Sequence, residues 1–513
     1  MQNDFENRWV CTLKLTPPAL KDNTADAERL LAELKKTLNA EDIDIDLKLL
    51  KKLSFLLREY DFHIKCIFFK ERKRWLLIDV KSALYEKMIA GVAADLGTTR
   101  VVLRLMNLEN GEVLGESSFD NPQIKIGPDI LTRVHFAKEQ EGLNKINELI
   151  IEGFNSNIDD LCEKSDLNAS DIYLMTVAGN TTMTHLFLGI DPYWIIREPY
   201  IPAVNRPGLL SALSLGVTIN ESACVYVFPN IGSYFGGDLI AGIIFSGMNK
   251  KEETAILVDV GTNAEVVLGN KDWLIACAGA AGPALEGGVS SIGMMAGPGV
   301  IDRVVVDDNN NFDIHTIEEL EPLGICGSGF IDLAAALFQS GAIDIRGKIV
   351  PEACGNRYKE IDEMKHFIIV PEAESKTGDN ISISQASIDS LIRSKAAMYT
   401  ILETIALNVG MSLSELSTFY VAGTFGSFIN PKSAITIGMI PDLPLEKYET
   451  LGNSSLGGAS LLLESRRYID EVDQIRGSIT YVELNVDQGF MNRFSGAKFL
   501  PHTNLDLFPS VKV

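Results

Sequence analysis

Two short stretches of the sequence share an aspartate that is closely followed by glycine and hydroxyl residues. In residues 91–100 a small apolar run ends on Asp95, and Gly97 and two threonines follow; residues 257–265 repeat the pattern from Asp259. We predict a buried strand that turns back sharply in each stretch, because glycine lets the backbone of a turn approach a phosphate closely. An aspartate at such a bend can hold a divalent cation through water. The pair predicts two related domains that grip one nucleotide from opposite sides.

Polar residues in the first half of the chain follow another predicted strand, at residues 171–177. Asn180 and Thr181 stand where this strand ends, and α/β folds place ligands at that edge of the sheet. The same residues also fit a cap for the helix that continues from Met183. Both roles stay open, because one residue can cap a helix and contact a ligand. Upstream, apolar residues at helical spacing from Leu143 to Leu161 predict a long helix.

Three glycine-rich segments follow the second stretch, at residues 279–288, 324–329 and 419–428. The first two can start helices whose free N–H groups face a ribose or a phosphate, although a plain turn explains each of them equally well. The third is a strand that runs into a glycine turn. The candidate binding residues in these segments are Gly282, Glu286, Gly327, Ser328, Gly423, Thr424 and Gly426. There is no Walker loop, and no G-x-G-x-x-G follows a strand.

The two turns resemble the first and second phosphate loops of the acetate/sugar kinase, heat-shock chaperone and actin superfamily. Residues 419–428 are similar to the adenosine loop of that superfamily. More specific strings resemble the ATP-dependent reductive activators of corrinoid proteins, and this resemblance runs over nearly the whole chain from residue 8. These strings are Asn121-Pro-Gln123, Gly127-Pro-Asp129, Val177–Met183, Gly324–Gly329, Leu500–Thr503 and Phe508–Ser510.

The resemblance implies an α/β fold: a two-lobed actin/kinase-like ATPase with duplicated ribonuclease-H-like halves. Alternating and helical periodicities in residues 1–90 predict a small α+β domain before it. We therefore expect the small domain at 1–90, the first ATPase lobe at 91–254, and the second lobe with a C-terminal tail at 255–513. Residues 345–380 are more polar and are expected to be irregular. Residues 452–459 open a helix of small residues, similar to the second connecting helix of the superfamily.

The resemblance also implies roles for single residues. Asp95 and Asp259 are expected to hold Mg²⁺ through water, and Glu265 is expected to join the water shell of the cation. In the superfamily, the helix before the second phosphate loop carries an acidic residue near the attacking water, and Asp238 is the candidate here. The alternative for Asp238 is an aspartate that offsets the helix dipole. The expected phosphate contacts are Gly97, Thr98, Thr99, Gly261, Thr262 and Asn263.

The activators of this family couple ATP binding and hydrolysis to the reduction of a corrinoid from Co(II) to Co(I). By resemblance we expect a homodimeric ATPase that uses ATP and Mg²⁺ and acts on a corrinoid protein. The chain begins directly at the small domain, without a cysteine-rich ferredoxin module, so an external ferredoxin- or flavodoxin-like donor is expected to supply low-potential electrons. A small-molecule kinase with Asp238 as its base and an ATP-gated, chaperone-like assembly factor are the alternatives within the superfamily.

Composition and net charge disfavour some classes of partner and indicate the cellular compartment. The chain of 513 residues suggests more than one domain, and its net charge of −23 disfavours a nucleic acid or an anionic membrane as partner. There is no signal peptide and no uncharged run near the roughly 20 residues of a spanning helix, so a cytoplasmic protein is expected.

The seven cysteines are scattered and show no metal-binding spacing. Buried, reduced thiols are the favoured interpretation. Some related dehydratase activators hold one iron–sulfur cluster between two subunits, with two cysteines from each. Cys277 and Cys326, in or beside the glycine-rich segments, are the candidates for such an arrangement, but an iron–sulfur cluster is the less favoured hypothesis.

Overall fold

The computed structural model describes residues 7–261, 264–279, 290–307, 309–423, 429–484, 487 and 489–512. The chain divides into two compact units. The first unit combines Met1–Gly247 with Ser454–Ser478, and the second unit combines Met248–Asn453 with Ile479–Val513.

The N-terminal part of the first unit is a four-stranded sheet, in the order β1-β3-β4-β2, with two helices. Its elements are β1 (Val10–Lys14), α1 (Asp26–Leu38), β2 (Ile43–Ile45), α2 (Leu47–Glu59), β3 (His63–Glu71) and β4 (Arg74–Ser82). Leucines at helical spacing bury one face of α1 and one face of α2. The indole of Trp9 stacks on Phe69, with ring centroids 4.5 Å apart. This is the small α+β arrangement that the periodicities predict.

A six-stranded sheet in the order β7-β6-β5-β8-β10-β9 forms the rest of the core of the first unit. Strands β5, β6 and β7 are antiparallel neighbours, whereas β8 runs parallel to β5 and β10 runs parallel to β8. The buried face of α4 confirms the predicted long helix. The elements are β5 (Ala90–Leu96), β6 (Arg100–Asn107), β7 (Val113–Asp120), α3 (Ile130–Phe136), α4 (Gln140–Lys164), β8 (Ile172–Gly179), α5 (Thr181–Leu188), β9 (Gly208–Ser211), β10 (Cys224–Val227) and α6 (Gly237–Ser246).

The second unit repeats this plan in a sheet of order β21-β20-β11-β12-β13-β22. Again three antiparallel strands, β11, β12 and β13, are followed by β20 parallel to β11 and β21 parallel to β20. The elements up to residue 452 are β11 (Ala255–Val260), β12 (Ala264–Gly269), β13 (Leu274–Gly279), β14 (Val300–Val306), β15 (Phe312–Thr316), β16 (Gly324–Ile325), α7 (Gly327–Gln339), α8 (Pro351–Cys354), β17 (Tyr358–Ile361), β18 (Met364–Val370), β19 (Ile381–Ser384), α9 (Gln385–Asn408), β20 (Thr418–Ala422), α10 (Pro431–Thr436) and β21 (Tyr448–Gly452).

The polar segment 345–380 is not irregular, so that expectation was wrong. It contains α8 and two strands, β17 and β18, of the three-stranded sheet β17-β18-β19. The side chains of β17 are exposed or half-buried, while β18 buries Phe367, Ile369 and Val370. A sheet with one wet side alternates polar and apolar residues, which lowers the mean hydropathy of its sequence without removing the strands.

The last elements are α11 (Ser454–Glu464), α12 (Arg467–Ser478), β22 (Ile479–Tyr481) and α13 (Phe490–Ala497). The helices α11 and α12 belong to the first unit, although the predicted range of the second lobe includes them. Small residues explain why α11 packs so closely there, because a Cβ on Gly458 would lie 2.1 Å from the carbonyl oxygen of Ala241 in α6. The Thr176 hydroxyl of β8 also donates to the carbonyl of Ala459, at 2.8 Å.

Within the described ranges, every helix is either too short or too polar to cross a bilayer. The mixed α/β fold with a preceding small domain agrees with the predicted fold class. The domain boundaries at residues 90 and 254 remain predictions.

Candidate functional site

The first turn, residues 97–99, joins β5 to β6. Asp95 is half-buried near the end of β5, and only residues 97–99 lie between the end of β5 at Leu96 and the start of β6 at Arg100. A Cβ on Gly97 would lie 2.2 Å from the carbonyl oxygen of Arg100. Only glycine fits this bend, and the turn is therefore as tight as the sequence predicts. Thr98 is half-buried and Thr99 is exposed, so a ligand can reach their hydroxyls.

Asn180 connects the first turn to the neighbouring strand β8. Its Oδ1 accepts the N–H of Met183 at 2.9 Å and caps α5, which confirms the predicted cap. Its Nδ2 donates to the Thr98 hydroxyl at 3.1 Å, so the same side chain also holds a residue of the turn. The next residue, Thr181, is buried and donates its hydroxyl to the carbonyl of Gly232 at 3.0 Å. Direct contacts of Asn180 and Thr181 with a ligand remain predictions.

Asp238 lies in the first turn of α6 and is half-buried. Its Oδ1 accepts the N–H of Leu239 at 2.9 Å. A Cβ on Gly236 would lie 2.4 Å from that oxygen and 2.5 Å from the Cα of Asn180. The carboxylate therefore lies beside Asn180, at the end of the sheet that carries the first turn. A position at a helix N-terminus also offsets the helix dipole, so both interpretations of Asp238 fit this geometry.

Asn121, to which the sequence analysis gave no role, holds the backbone of the first turn. It follows the end of β7 and is buried. Its Nδ2 donates to the carbonyl of Gly97 at 2.9 Å, and its backbone N–H donates to the carbonyl of Thr99 at 2.8 Å. An asparagine directly after the strand next to the hairpin is a sequence signal for this role.

A buried chain of polar side chains stands behind Asn121. The N–H of Gln123 donates to Asn121 Oδ1 at 3.0 Å, and Arg133 Nη1 donates to Gln123 Oε1 at 3.3 Å. Arg133 Nε donates to the carbonyl of Gly127 at 2.9 Å. Burial lowers the pKa of the Arg133 guanidinium to about 10. These bonds fix Asn121, and through it the first turn, in one position.

The second predicted turn falls between β11, which ends at Val260, and β12, which begins at Ala264. Asp259 lies directly opposite Glu265 in the antiparallel pair, and both side chains are half-buried. Opposite residues on such strands point to the same face, with Cβ atoms about 5 Å apart. Two carboxylates at that distance repel each other, and a hard cation such as Mg²⁺ relieves the repulsion. This pair fits a magnesium ion held through water; Thr262 and Asn263 lie outside the described residues.

Gly423 follows β20 and contacts the aspartate of the second turn. Strand β20 runs parallel to β11 and places Ala422 beside Asp259. Gly423 has a φ of 84°, and a Cβ on it would lie 2.8 Å from Asp259 Oδ1. Glycine is needed both for the left-handed backbone and for the close approach. Thr424 and Gly426, the other candidates in this segment, lie outside the described residues.

Gly327 and Ser328 begin α7 and are buried. The Ser328 hydroxyl donates to the carbonyl of Asp302 in β14 at 3.1 Å, so this hydroxyl attaches α7 to β14. A nucleotide contact by either residue remains a prediction. Gly282 and Glu286 fall outside the described residues.

Cys277 and Cys326 are both buried in the second unit. Burial raises the pKa of the Cys277 thiol to about 12. Across the described part of the chain, histidine, cysteine and acidic side chains nowhere gather in threes or more as a metal-binding group would require. A cluster shared between two subunits is not tested by one chain and stays a hypothesis.

Comparisons with known proteins match consecutive ranges of the chain. A model of the RACo linker region matches residues 8–87, and a model of the RACo middle region matches residues 90–251. A model of the C-terminal domain of RACo, the ASKHA domain, matches residues 253–512.

Two relatives and one solved structure are similar over most of the chain. The corrinoid activation enzyme RamQ of Eubacterium limosum is 32% identical over 418 residues, which cover 80% of this chain and 70% of the relative. A Co(II) methylated amine-specific corrinoid protein reductase of Methanosarcina barkeri is 24% identical over 424 residues, 76% of this chain and 73% of the relative. The structure of a reductive activator for corrinoid, iron-sulfur protein matches 98% of this chain and 81% of its own, with a TM-score of 0.86 and 37% identity.

Proposed function

This chain belongs to the RACo family, and from that premise we propose that it is an ATP-dependent reductive activator of a corrinoid protein. It couples ATP binding and hydrolysis to the reduction of Co(II) to Co(I), with electrons from an external low-potential donor. The observation that carries this proposal is the match to a reductive activator over 98% of the chain at 37% identity. The expected homodimer, cytoplasmic location and ferredoxin- or flavodoxin-like donor are parts of the same proposal and rest on the resemblance alone.

In the first unit, the proposed role of the first turn is to bind phosphate. Thr98 and Thr99 offer hydroxyls and the turn offers backbone N–H groups to phosphate oxygens. Asn180 holds Thr98, and Asn121 holds the carbonyls of Gly97 and Thr99, so the donors are fixed before the nucleotide arrives. Asp238 orients a water for attack on the terminal phosphate.

In the second unit, the proposed work is cation binding. Asp259 and Glu265 hold Mg²⁺ through its water molecules, and Asp95 of the first unit is assigned the same kind of contact. When bound, the ion neutralises charge on the phosphate oxygens. Gly423 brings the backbone beside Asp259, and residues 423–426 are proposed to contact the adenosine.

The nucleotide step is proposed to act as coupling, with no phosphoryl transfer to a substrate. A nucleotide can shift an equilibrium of the corrinoid partner only if the ATP and ADP states of the activator bind that partner with different affinity. The Co(I) state is too reducing to reach from ordinary donors. ATP hydrolysis is therefore proposed to drive the reduction through this difference in affinity for the corrinoid partner.

The test is the visible spectrum of a Co(II) corrinoid protein under anaerobic conditions, with titanium(III) citrate as donor. Two partners are used, a corrinoid, iron-sulfur protein and a methylated-amine-specific corrinoid protein. We expect the Co(I) band to appear with at least one of them, only when this protein and Mg-ATP are both present. ADP in place of ATP, and the Asp259→Asn variant with ATP, are the matched controls.

Two results contradict the proposal. One is Co(I) formation at the same rate without ATP. The other is steady ATP hydrolysis that changes neither partner's spectrum while a phosphate appears on a small-molecule acceptor, which is the result expected of a kinase.

A further inference from the structure

Cys11 of β1 and Cys66 of β3 lie directly opposite each other in the small N-terminal sheet. Opposite side chains of an antiparallel pair share one face, with Cβ atoms about 4.5–5.5 Å apart. A disulfide needs Cβ atoms about 3.5–4.5 Å apart, so the two strands must close by only about 1 Å. Strand β1 is the edge of this sheet and has β3 as its one neighbour in it. A small shift of β1 is therefore enough to join the two sulfur atoms.

The two thiols differ in exposure and in acidity. Cys11 is half-buried, whereas Cys66 and the five other cysteines of the chain are buried. A hydrogen bond from the Cys66 thiol lowers the pKa of Cys11, and the Arg466 guanidinium acts in the same direction against the opposing effect of burial. The pKa of Cys66 is raised by the same hydrogen bond and by burial. Cys11 thus has the features of an attacking thiol, and Cys66 those of a resolving thiol behind it.

We propose that Cys11 and Cys66 form a thiol–disulfide modification site, which a low-molecular-weight disulfide such as oxidised glutathione converts reversibly into a cross-strand disulfide. The Cys11 thiolate attacks one sulfur of glutathione disulfide, which forms a mixed disulfide and releases one glutathione. Cys66 then loses its proton, attacks the Cys11 sulfur and releases the second glutathione. The two cysteines give up two electrons and two protons, and one glutathione disulfide becomes two thiols. The site does not rest on the proposed function.

Oxidation fixes a strand end that also anchors α11. Trp9 precedes β1, and its indole N–H donates to the carbonyl of Leu462 at 2.7 Å. Arg8 donates to the carbonyl of Glu464, the last residue of α11. Arg466 lies 5.4 Å from the ring centroid of Trp75 and donates to the carbonyl of Arg8 at 3.4 Å. A disulfide at Cys11 therefore ties β1 to β3 within three residues of these contacts.

The test incubates the full chain, reduced and free of oxygen, with graded ratios of reduced and oxidised glutathione, followed by an acid quench. We expect the intact mass to fall by two hydrogens per chain. After trypsin digestion without reductant, the peptides Trp9–Lys14 and Cys66–Lys70 should be joined. Hydrogen exchange of Val10–Lys14 should slow in the oxidised protein and recover after dithiothreitol.

Cysteine variants separate the attacking role of Cys11 from the resolving role of Cys66. Cys66→Ala should keep one glutathione per chain on Cys11, because the resolving thiol is gone, and Cys11→Ser should take up none. Cys162→Ala, which removes a buried thiol of α4, should form the same disulfide as the wild type. The proposal is overturned if the wild type keeps its full thiol mass, stops at the mixed disulfide, or joins other cysteines. It is also overturned if the pair forms only when all seven thiols react together.

Discussion

The antiparallel pair β5 and β6 and the pair β11 and β12 occupy the same place among the five core strands of their sheets, and each pair has an aspartate near the end of its first strand. Their surroundings differ. Asp95 faces Val102 across the hairpin, whereas Asp259 faces Glu265. Amide side chains hold the first turn from outside, whereas the backbone of Gly423 approaches Asp259 at the end of β11.

Within the proposed function, this difference assigns a different role to each of the two hairpins. Hydroxyl and N–H donors held in place suit the oxygens of a phosphate, and the lone carboxylate of Asp95 adds only one ligand for a cation. Two facing carboxylates suit a hard cation, which needs negative oxygen ligands. Within the proposed function, the first turn therefore acts mainly on phosphate and the second mainly on Mg²⁺.

The largest expected effect comes from the two aspartates. Asp95→Asn and Asp259→Asn should each lower kcat for ATP hydrolysis by roughly 100-fold or more, because each removes a charge placed for the transition state. The measurement is steady-state phosphate release, with circular dichroism to verify the fold. Asp272→Asn, at an exposed position of the second unit, is the control. Wild-type turnover in either aspartate variant would refute the assignment of that turn.

A second variant tests the packing of α11 against α6, in the unit that carries the first hairpin. Gly458→Ala places a methyl group 2.1 Å from the carbonyl oxygen of Ala241 and should lower the free energy of unfolding by about 1–3 kcal/mol. Gly477→Ala, in α12 of the same unit, meets nothing within 4 Å and should raise it by up to about 1 kcal/mol. Urea unfolding, followed by tryptophan fluorescence, measures both. Equal behaviour of the two variants would show that α11 can move away from α6 at little cost.

A third variant tests the support of the first turn. Asn121→Ala removes the hydrogen bond to the Gly97 carbonyl and should weaken ATP binding by about ten-fold, since a partly buried carbonyl loses its partner. Isothermal titration with a non-hydrolysable ATP analogue measures the Kd. Asn155→Ala breaks a comparable bond, to the carbonyl of Gly216, on the helix α4 and should leave the Kd unchanged. An unchanged Kd in Asn121→Ala would mean that the turn keeps its shape without this amide.

The smallest expected effect distinguishes the two hairpins most directly. Glu265→Gln should raise the Mg²⁺ concentration for half-maximal hydrolysis by roughly five-fold, the size of one partly exposed charge interaction. Its counterpart across the first hairpin, Val102→Thr, should leave the Mg²⁺ requirement unchanged. A shift of the same size in both variants would remove the division of work between the two turns.

The parts of the site that sequence could predict are local ones. The tight bend at Gly97 and the Asn180 cap follow from the residue types at those positions, and both are present. The role of Asn121 could not be derived in the same way. It depends on the pairing of β6 with β7, which brings a residue 24 positions away in the sequence to the carbonyl of Gly97.

The same distinction between local features and long-range contacts holds for the fold. Helical and alternating periods predict α1, α2, α4 and the strands β1, β3 and β4 of the small sheet, because each period reflects one buried face. The membership of α11 and α12 in the first unit has no such signal. The small residues of α11 indicate close packing, but only the tertiary contacts of α11 with Trp9, Thr176 and Ala241 show that it belongs to the first unit.

The return of residues 454–478 to the first unit has a consequence for synthesis on the ribosome. Helix α11 leaves the ribosome more than 200 residues after Gly247, so the first unit waits for nearly the entire second unit before its core can close. During that time, the surface around Gly91 in β5 lacks its contact with Leu463 of α11. Contacts so distant in sequence form slowly, and the open intermediate exposes apolar surface. We expect residues 1–247 expressed alone to bind chaperones, and a permuted chain that joins 454–478 directly to 247 to escape them.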